Sequence, residues 1–334
     1  MPSVVNEHNK NLLSEYDIDL KKELKSASVV RFNGRDTDSR ISMSLYEKLI
    51  HAADNKENFE VKLPNITFGV EFEFVGSSDP KDVSAFNYEM AKLFKEKYFY
   101  TGTYTHNDGA SWILGKDSSI KTDWSKLKHP FGFELSSPRL RYANKDDMAV
   151  LHTVVDLIKT LLHGEVNKSC GTHIHIGFSK KDFKSELYRG SICDLLSTYS
   201  AMEKTVFDTI VPIHRRRNRF CRQTQPWPRN KYQKLSSRFC DFNYDGECKT
   251  LHFEFRQLEG TLDINTIMYW ADLQAIILFD VLYHIGHDDF SYVKKLMKKN
   301  IFEILFHYKL NKSLVNFFLG RAIDFKSRTI QTNQ

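Results

Sequence analysis

The sequence predicts an α+β fold. Three observations carry that prediction. Strict apolar–polar alternation sets in at Ile66, apolar residues recur at helical spacing after Asn144 and after Ile264, and the strand and helix patterns mix without simple βαβ alternation. Taken in order, residues 1–60 are polar and weakly periodic, an appendage with one short helix at Ser44–Ala53, where Ser44 and Glu47 suit a capping box. Ile66–Val75 reads as a strand, and Asn87–Tyr100 as a helix. Gly102–Ile120 is turn-rich, with a short strand around Trp112–Leu114, and Phe131–Ser136 is another strand, ended by Pro138. Asn144 caps a helix over Lys145–His163, with Leu151, Val155 and Ile158 on its buried stripe. A strand at Thr172–Phe178 and a helix at Lys184–Val211 come next. An irregular basic stretch at Arg215–Gly246, a strand at Leu251–Leu258 and helices at Ile264–Ile285, Ser291–His307 and Leu310–Ile323 complete the chain. One large domain over residues 64–330 is expected.

The 334 residues, 41% of them hydrophobic, suffice for a sizeable core. A net charge of +6 suits phosphates or acidic substrates, but no strongly basic domain stands out, which argues against nucleic acid as the partner. Cys170, Cys193, Cys221, Cys240 and Cys248 include no Cys-x-x-Cys pair, so a reducing, cytoplasmic setting is expected. The opening residues lack the apolar core of a secretory signal, and no apolar run reaches the ~20 residues of a membrane span.

Strand parity carries the functional reading, because side chains at i and i+2 share one face of a sheet. Phe68, Val70, Phe72 and Phe74 oppose Glu71 and Glu73; Phe131, Phe133 and Leu135 oppose Glu134. Ile174 and Ile176 oppose His173 and His175, and Phe253 and Phe255 oppose His252, Glu254 and Arg256. The apolar faces can bury together against helices. The opposite face then collects carboxylates, imidazoles and a guanidinium, and such a face must be solvated or hold a metal or phosphate. Any single Glu-x-Glu is more often a solvated strand face, and a lone His-x-His is a core or surface pair about as often as a metal site. Four segments of matching parity point to a metal site, with carboxylates of the kind that Mg²⁺ and Mn²⁺ prefer.

These segments, in this order, resemble the amidoligase family, a branch of the carboxylate–amine ligases with a glutamine-synthetase-like catalytic fold. The matching pieces are Phe68–Phe74, Asp117–Ile120, Phe133–Pro138, Cys170–Gly177, Arg217–Arg222 and Phe253–Asp263, so the resemblance covers about residues 64 to 285. It departs from the family at Asp117-Ser118-Ser119, where the family usually has Asp-Gly-Ser; Asn107-Asp108-Gly109 is the alternative for that loop.

The resemblance implies a curved, mostly antiparallel sheet with helices on one face and the active site on the other. It implies that Glu71, Glu73, Glu134, His173 and Glu254 lie at divalent metals, that His173 is also near the nucleotide phosphates, and that Arg256 holds the transferring phosphoryl group. His175 would bind metal or substrate. The base that deprotonates the amine is not assigned by the resemblance; Asp117, Asp108 and Glu259 are its candidates. The implied cofactors are ATP with Mg²⁺ or Mn²⁺. The implied partners are a small-molecule or peptide carboxylate and an amine donor, with oligomerisation left open. Arg217, Arg219, Arg222 and Lys231 are candidates for phosphate or acidic substrate, since Arg pairs bidentately with both; a solvated charge run is the plain alternative. Two other readings compete. A His/Glu metal-dependent hydrolase or cupin-like enzyme would use His173 and His175 with a carboxylate but leave Glu71, Glu73 and the arginines unexplained. A nucleic-acid-binding protein would use the 215–238 stretch with its interleaved aromatic residues.

Overall fold

The computed structural model describes residues 30–32, 35–37, 66–103, 109–142, 144–179, 190–216, 218–219, 221, 242–245, 250–286, 288–308, 310 and 312–331. The chain divides into two compact units, one of Leu63–Leu196 with His214–Asp288, the other of Met1–Lys62, Ser197–Ile213 and Asp289–Gln334.

The first unit is built on an eight-stranded sheet. Its strands are β3 (Thr67–Ser77), β4 (Tyr98–Tyr100), β5 (Trp112–Lys116), β6 (Pro130–Ser136), β7 (Leu140–Arg141), β8 (Thr172–Ser179), β9 (Phe242–Asp245) and β10 (Thr250–Phe255). They run in the order β4-β5-β6-β3-β8-β10-β9, with β7 pairing the start of β3. Every pairing is antiparallel except β4 with β5. The long central β3 therefore has β6 on one side and β8 on the other, which makes it the organising strand of the site.

Phe68, Val70, Phe72 and Phe74 of β3, Phe133 and Leu135 of β6, Ile174 and Ile176 of β8 and Phe253 and Phe255 of β10 are all buried, as the alternation requires. The long helices α1 (Pro80–Phe94), α2 (Lys145–Leu161) and α4 (Ile264–Gly286) belong to this unit. Asn144 caps α2 as expected, its Oδ1 accepting from the amides of Asp146 and Asp147 at 3.1 Å. The α4 segment Ile264–Ile285 is long and apolar enough to cross a membrane, contrary to the expectation from sequence. Many of its apolar side chains, Trp270, Ala271, Leu273 and Ile277 among them, are buried within the protein, and the helix packs on β8.

The helix expected at Asn87–Tyr100 lies earlier, over Pro80–Phe94. Asp79 caps it by accepting from the Lys81 amide, and Pro80 takes the first turn, where its missing N–H costs nothing. Val83, Phe86 and Met90 form its buried stripe. Tyr98–Tyr100, read as the end of that helix, is instead the edge strand β4, and the Tyr98 hydroxyl bonds Asn87. β10 ends at Phe255 rather than Leu258, and β9 arises within the stretch expected to be irregular.

The second unit contains the hairpin β1 (Val30–Phe32) and β2 (Arg35–Thr37) within the segment read as appendage. It also contains α5 (Phe290–Leu296), α6 (Ile301–His307) and α7 (Lys312–Gln331). The helix α3 (Gly190–Met202) continues into a π-helical turn at Glu203–Phe207. One helix was expected over Ser291–His307; two form because Asn300 starts a new one. The Glu303 amide donates to Asn300 Oδ1 at 3.2 Å and the Asn300 amide donates to Glu303 Oε2 at 2.7 Å, the reciprocal pair of a capping box. The short helix expected at Ser44–Ala53 lies outside the described residues.

Candidate active site

Sheet register turns the parity argument into a map. Glu73 lies opposite Glu134, Glu71 opposite His173, Gly69 opposite His175, and His175 opposite Glu254. Four neighbouring strands thus bring six ligand-type side chains to one face. Ser136 and Gly115 complete the rows on the β6 and β5 side.

Two trios of donor atoms form on this face. One ligand atom each from Glu71, His175 and Glu254 lie within 4.8 Å of one another, as do those of Glu73, Asp117 and Glu134. Between the trios stands His173, 1% exposed. Its Nδ1 is 2.7 Å from Glu71 and 3.4 Å from Glu254, and its Nε2 is 3.3 Å from Glu73. His175 Nε2 is 3.2 Å from Glu71, and Arg256 donates to Glu254 Oε1 at 2.7 Å. The donor set is mainly hard carboxylate oxygen with one imidazole, which fits Mg²⁺ or Mn²⁺ better than a thiophilic ion.

The carboxylates respond differently to burial. Burial opposes the charge of Glu71, but the imidazoles of His175 and His173 outweigh it and hold this carboxyl well below the usual range. Burial also opposes the charge of Glu254, but the Arg256 guanidinium together with the imidazoles of His175 and His173 outweighs it, so this carboxyl is likewise held low. His175 is raised because Glu71 and Glu254 favour its cation against the effect of burial. Glu134 goes the other way. Burial and the charges of Glu71, Glu73 and Asp117 push it well above the ordinary value, with only Arg256 opposing. A buried acid surrounded by carboxylates keeps a proton that a divalent cation would displace.

Glycines shape this face. A Cβ at Gly132 would lie 2.3 Å from the Asp117 carbonyl oxygen and 2.6 Å from Ile120 Cβ, so the 117–120 loop crosses the sheet where β6 has no side chain. The Asp117 amide donates to the Gly132 carbonyl at 2.8 Å. That crossing delivers the Asp117 carboxylate to Glu73 and Glu134. Its Oδ1 accepts from the Ser119 amide at 2.8 Å, and Ser118 does not have positive φ, so the turn accommodates a serine there. Ile120 then joins Val75, Cys170 and Leu127 in an apolar cluster that closes this end of the face and dries the adjacent carboxylates. At the other end Gly69 lies beside His175, its absent Cβ 3.3 Å from His175 Cβ, which leaves room next to the Glu71–His175–Glu254 trio.

The basic stretch divides. Arg217, Arg222 and Lys231 lie outside the described residues, as do Asn107 and Asp108. Arg219 is exposed in a turn. Arg215, grouped with this run but not singled out from sequence, is fully buried, and its guanidinium donates to the carbonyl oxygen of Arg256. Gly132 and Gly115 also passed unnoticed, although each occupies the face parity of Glu134, the signal that something must cross the sheet there.

A family model described as "Putative amidoligase enzyme" matches residues 64–239, more than half of the chain. No curated protein matches it. The matched span contains Glu71, Glu73, Asp117, Glu134, His173 and His175. Glu254 and Arg256 lie beyond its end, on the strand that pairs with β8 and the residue after it.

Proposed function

The chain belongs to the amidoligase family, and from that premise we propose that it is an ATP-dependent ligase joining a carboxylate to an amine through an acyl phosphate. The observation that carries this reading is the pair of acidic trios side by side on one sheet face, with Arg256 bonded to a member of the first. The residues fit divalent cations: Glu71, His175 and Glu254 would hold one, and Glu73, Asp117 and Glu134 a second. Bound cations would supply the positive charge that lets phosphate oxygens approach so acidic a surface.

The chain's own residues do the rest. His173, packed between the trios, fixes Glu71, Glu73 and Glu254 relative to one another. Arg256 steadies the phosphoryl group as it passes from ATP to the substrate carboxylate, whose oxygen is thereby made a leaving group. The apolar cluster at Val75 and Ile120 keeps water from that end of the site, which strengthens every charge interaction there and protects the reactive acyl group from hydrolysis. Attack by the amine on the acyl carbon forms the amide and releases phosphate. A His/Glu hydrolase would leave the Glu73–Asp117–Glu134 trio without a role.

The test is ADP release by purified protein with MgATP, screened against pools of carboxylates and amines, with Glu71→Gln as the blank. Release that requires both an acid and an amine is expected. Release with one alone would point to a kinase, and no release with no ATP binding would overturn the proposal.

A further inference from the structure

We propose that Arg215 is a positioning residue for this site: its buried guanidinium fixes the peptide from which Arg256 projects, and so aims the Arg256 side chain at the acidic trios.

Arg215 is 1% exposed, among the largest fully buried side chains of the protein. Among the described residues no carboxylate pairs with it, and its Nε has no hydrogen-bond partner. Burying a cation costs desolvation that its contacts must offset. Two contacts define its place. One terminal nitrogen donates to the Arg256 carbonyl oxygen. A Cβ at Gly171 would lie 2.6 to 2.9 Å from the two terminal nitrogens and the carbon between them, so the guanidinium rests against the Gly171 backbone. Gly171 continues the alternation of His173 and His175, which places Arg215 on the active face. The Gly171 amide in turn donates to Glu73 Oε2 at 2.5 Å.

Arg215 therefore touches both flanks of the site. One contact is one peptide away from Glu73 of the second trio. The other is the backbone of Arg256, whose side chain bonds Glu254 of the first. Arg256 lies just past the end of β10, and the Arg215 guanidinium donates to its carbonyl oxygen there. A planar fork can lie flat on Gly171 and bond the carbonyl at once; a lysine ammonium cannot do both. The inference rests on the proposed ligase reading for what Arg256 does, but not for what holds it.

The test separates the two. The side-chain Nε–H resonance of Arg256 is identified by its loss in Arg256→Ala and then followed in Arg215→Lys. Gly171→Ala serves as a second variant that displaces the guanidinium without removing it. The expected result is a shift of that resonance to a solvent-exchanging position in either variant, with thermal unfolding still cooperative. MgATP-dependent turnover should fall about 100-fold in Arg215→Lys, the scale of a misplacement of about 1 Å. Adding Arg215→Lys to Arg256→Ala should cost no further activity, since the side chain that Arg215 positions is then already gone. An unchanged Arg256 resonance in a folded variant, or multiplicative losses in the double variant, would overturn the proposal. A shifted resonance in a protein whose wild type shows no ATP turnover would uphold the positioning role and sink the ligase reading.

Discussion

Replacing Glu134 by Gln should make the metal-free protein more stable, and should do so only above a defined pH. Glu134 is buried beside Glu71, Glu73 and Asp117, and its folded pKa is raised above the ordinary glutamate value of 4.5. The folded state therefore binds a proton more tightly than the unfolded state. Stability from this group is fully present below about pH 4.5 and is lost as pH rises toward its folded value, at up to ~1.4 kcal/mol per pH unit. Glu71 and Glu254 are shifted the opposite way, so their contribution is already complete above pH 4.5 and adds no slope there. His175, raised from 6.5, begins to lose its contribution only above that value. Between pH 4.5 and 6.5, Glu134 is thus the member of the site that sets the slope. Across those two pH units the wild type should lose up to about 3 kcal/mol relative to Glu134→Gln. At 2–4 °C per kcal/mol for a domain of this size, the melting temperatures should separate by up to about 6–12 °C. Thermal unfolding in chelator, followed by circular dichroism at several pH values, measures this directly. Parallel slopes for wild type and variant in that window would refute the argument that crowded carboxylates hold a proton on Glu134.

Divalent cations should reverse the ranking: Mn²⁺ at about 100 times its dissociation constant should stabilise the wild type by ~2.7 kcal/mol, and Glu134→Gln by clearly less, in the same melting assay. Gly132→Ala should displace the 117–120 loop, cost about 1–3 kcal/mol in stability and weaken Mn²⁺ binding in a titration, because its Cβ would lie 2.3 Å from a carbonyl oxygen. Its intact metal binding would show that the loop does not depend on that gap. Arg256→Ala and Glu71→Gln should each lower MgATP-dependent turnover by at least about 100-fold while the far-ultraviolet spectrum is unchanged. Full activity in Arg256→Ala would remove it from the mechanism.

The polar face was legible in the sequence because a strand has a period of two. Once Phe68, Val70, Phe72 and Phe74 are assigned to the core, Glu71 and Glu73 have nowhere else to go, and the same holds for His173 with His175 and for Glu254. The register that brings these residues together was not legible, since it depends on which strands become neighbours. Asp117 illustrates the difference. Its arrival beside Glu73 and Glu134 depends on a missing side chain at Gly132, fifteen residues later in the chain, and on Ile120 packing with Val75 and Cys170. No local pattern contains that information. The misplaced helix at Pro80–Phe94 is another case: Asp79-Pro80 was a readable start, but Tyr98-Phe99-Tyr100 changes from helix end to strand only because β5 is there to pair with it. Arg215 shows the limit of reading charge runs. Five arginines within eight residues look alike in sequence, and only packing against Gly171 distinguishes this one from the exposed Arg219.

The central claim is that one sheet face holds two divalent cations in adjacent acidic trios, and it is tested most directly by a Mn²⁺ titration followed by electron paramagnetic resonance. About two Mn²⁺ per chain are predicted, with a spectrum broadened by their mutual coupling, and Glu71→Gln and Glu134→Gln should each remove one site and the broadening with it. A single, tightly held Zn²⁺ or Fe²⁺ that survives dialysis, with no second site and no effect of Glu134→Gln, would contradict the account and favour a His/Glu hydrolase.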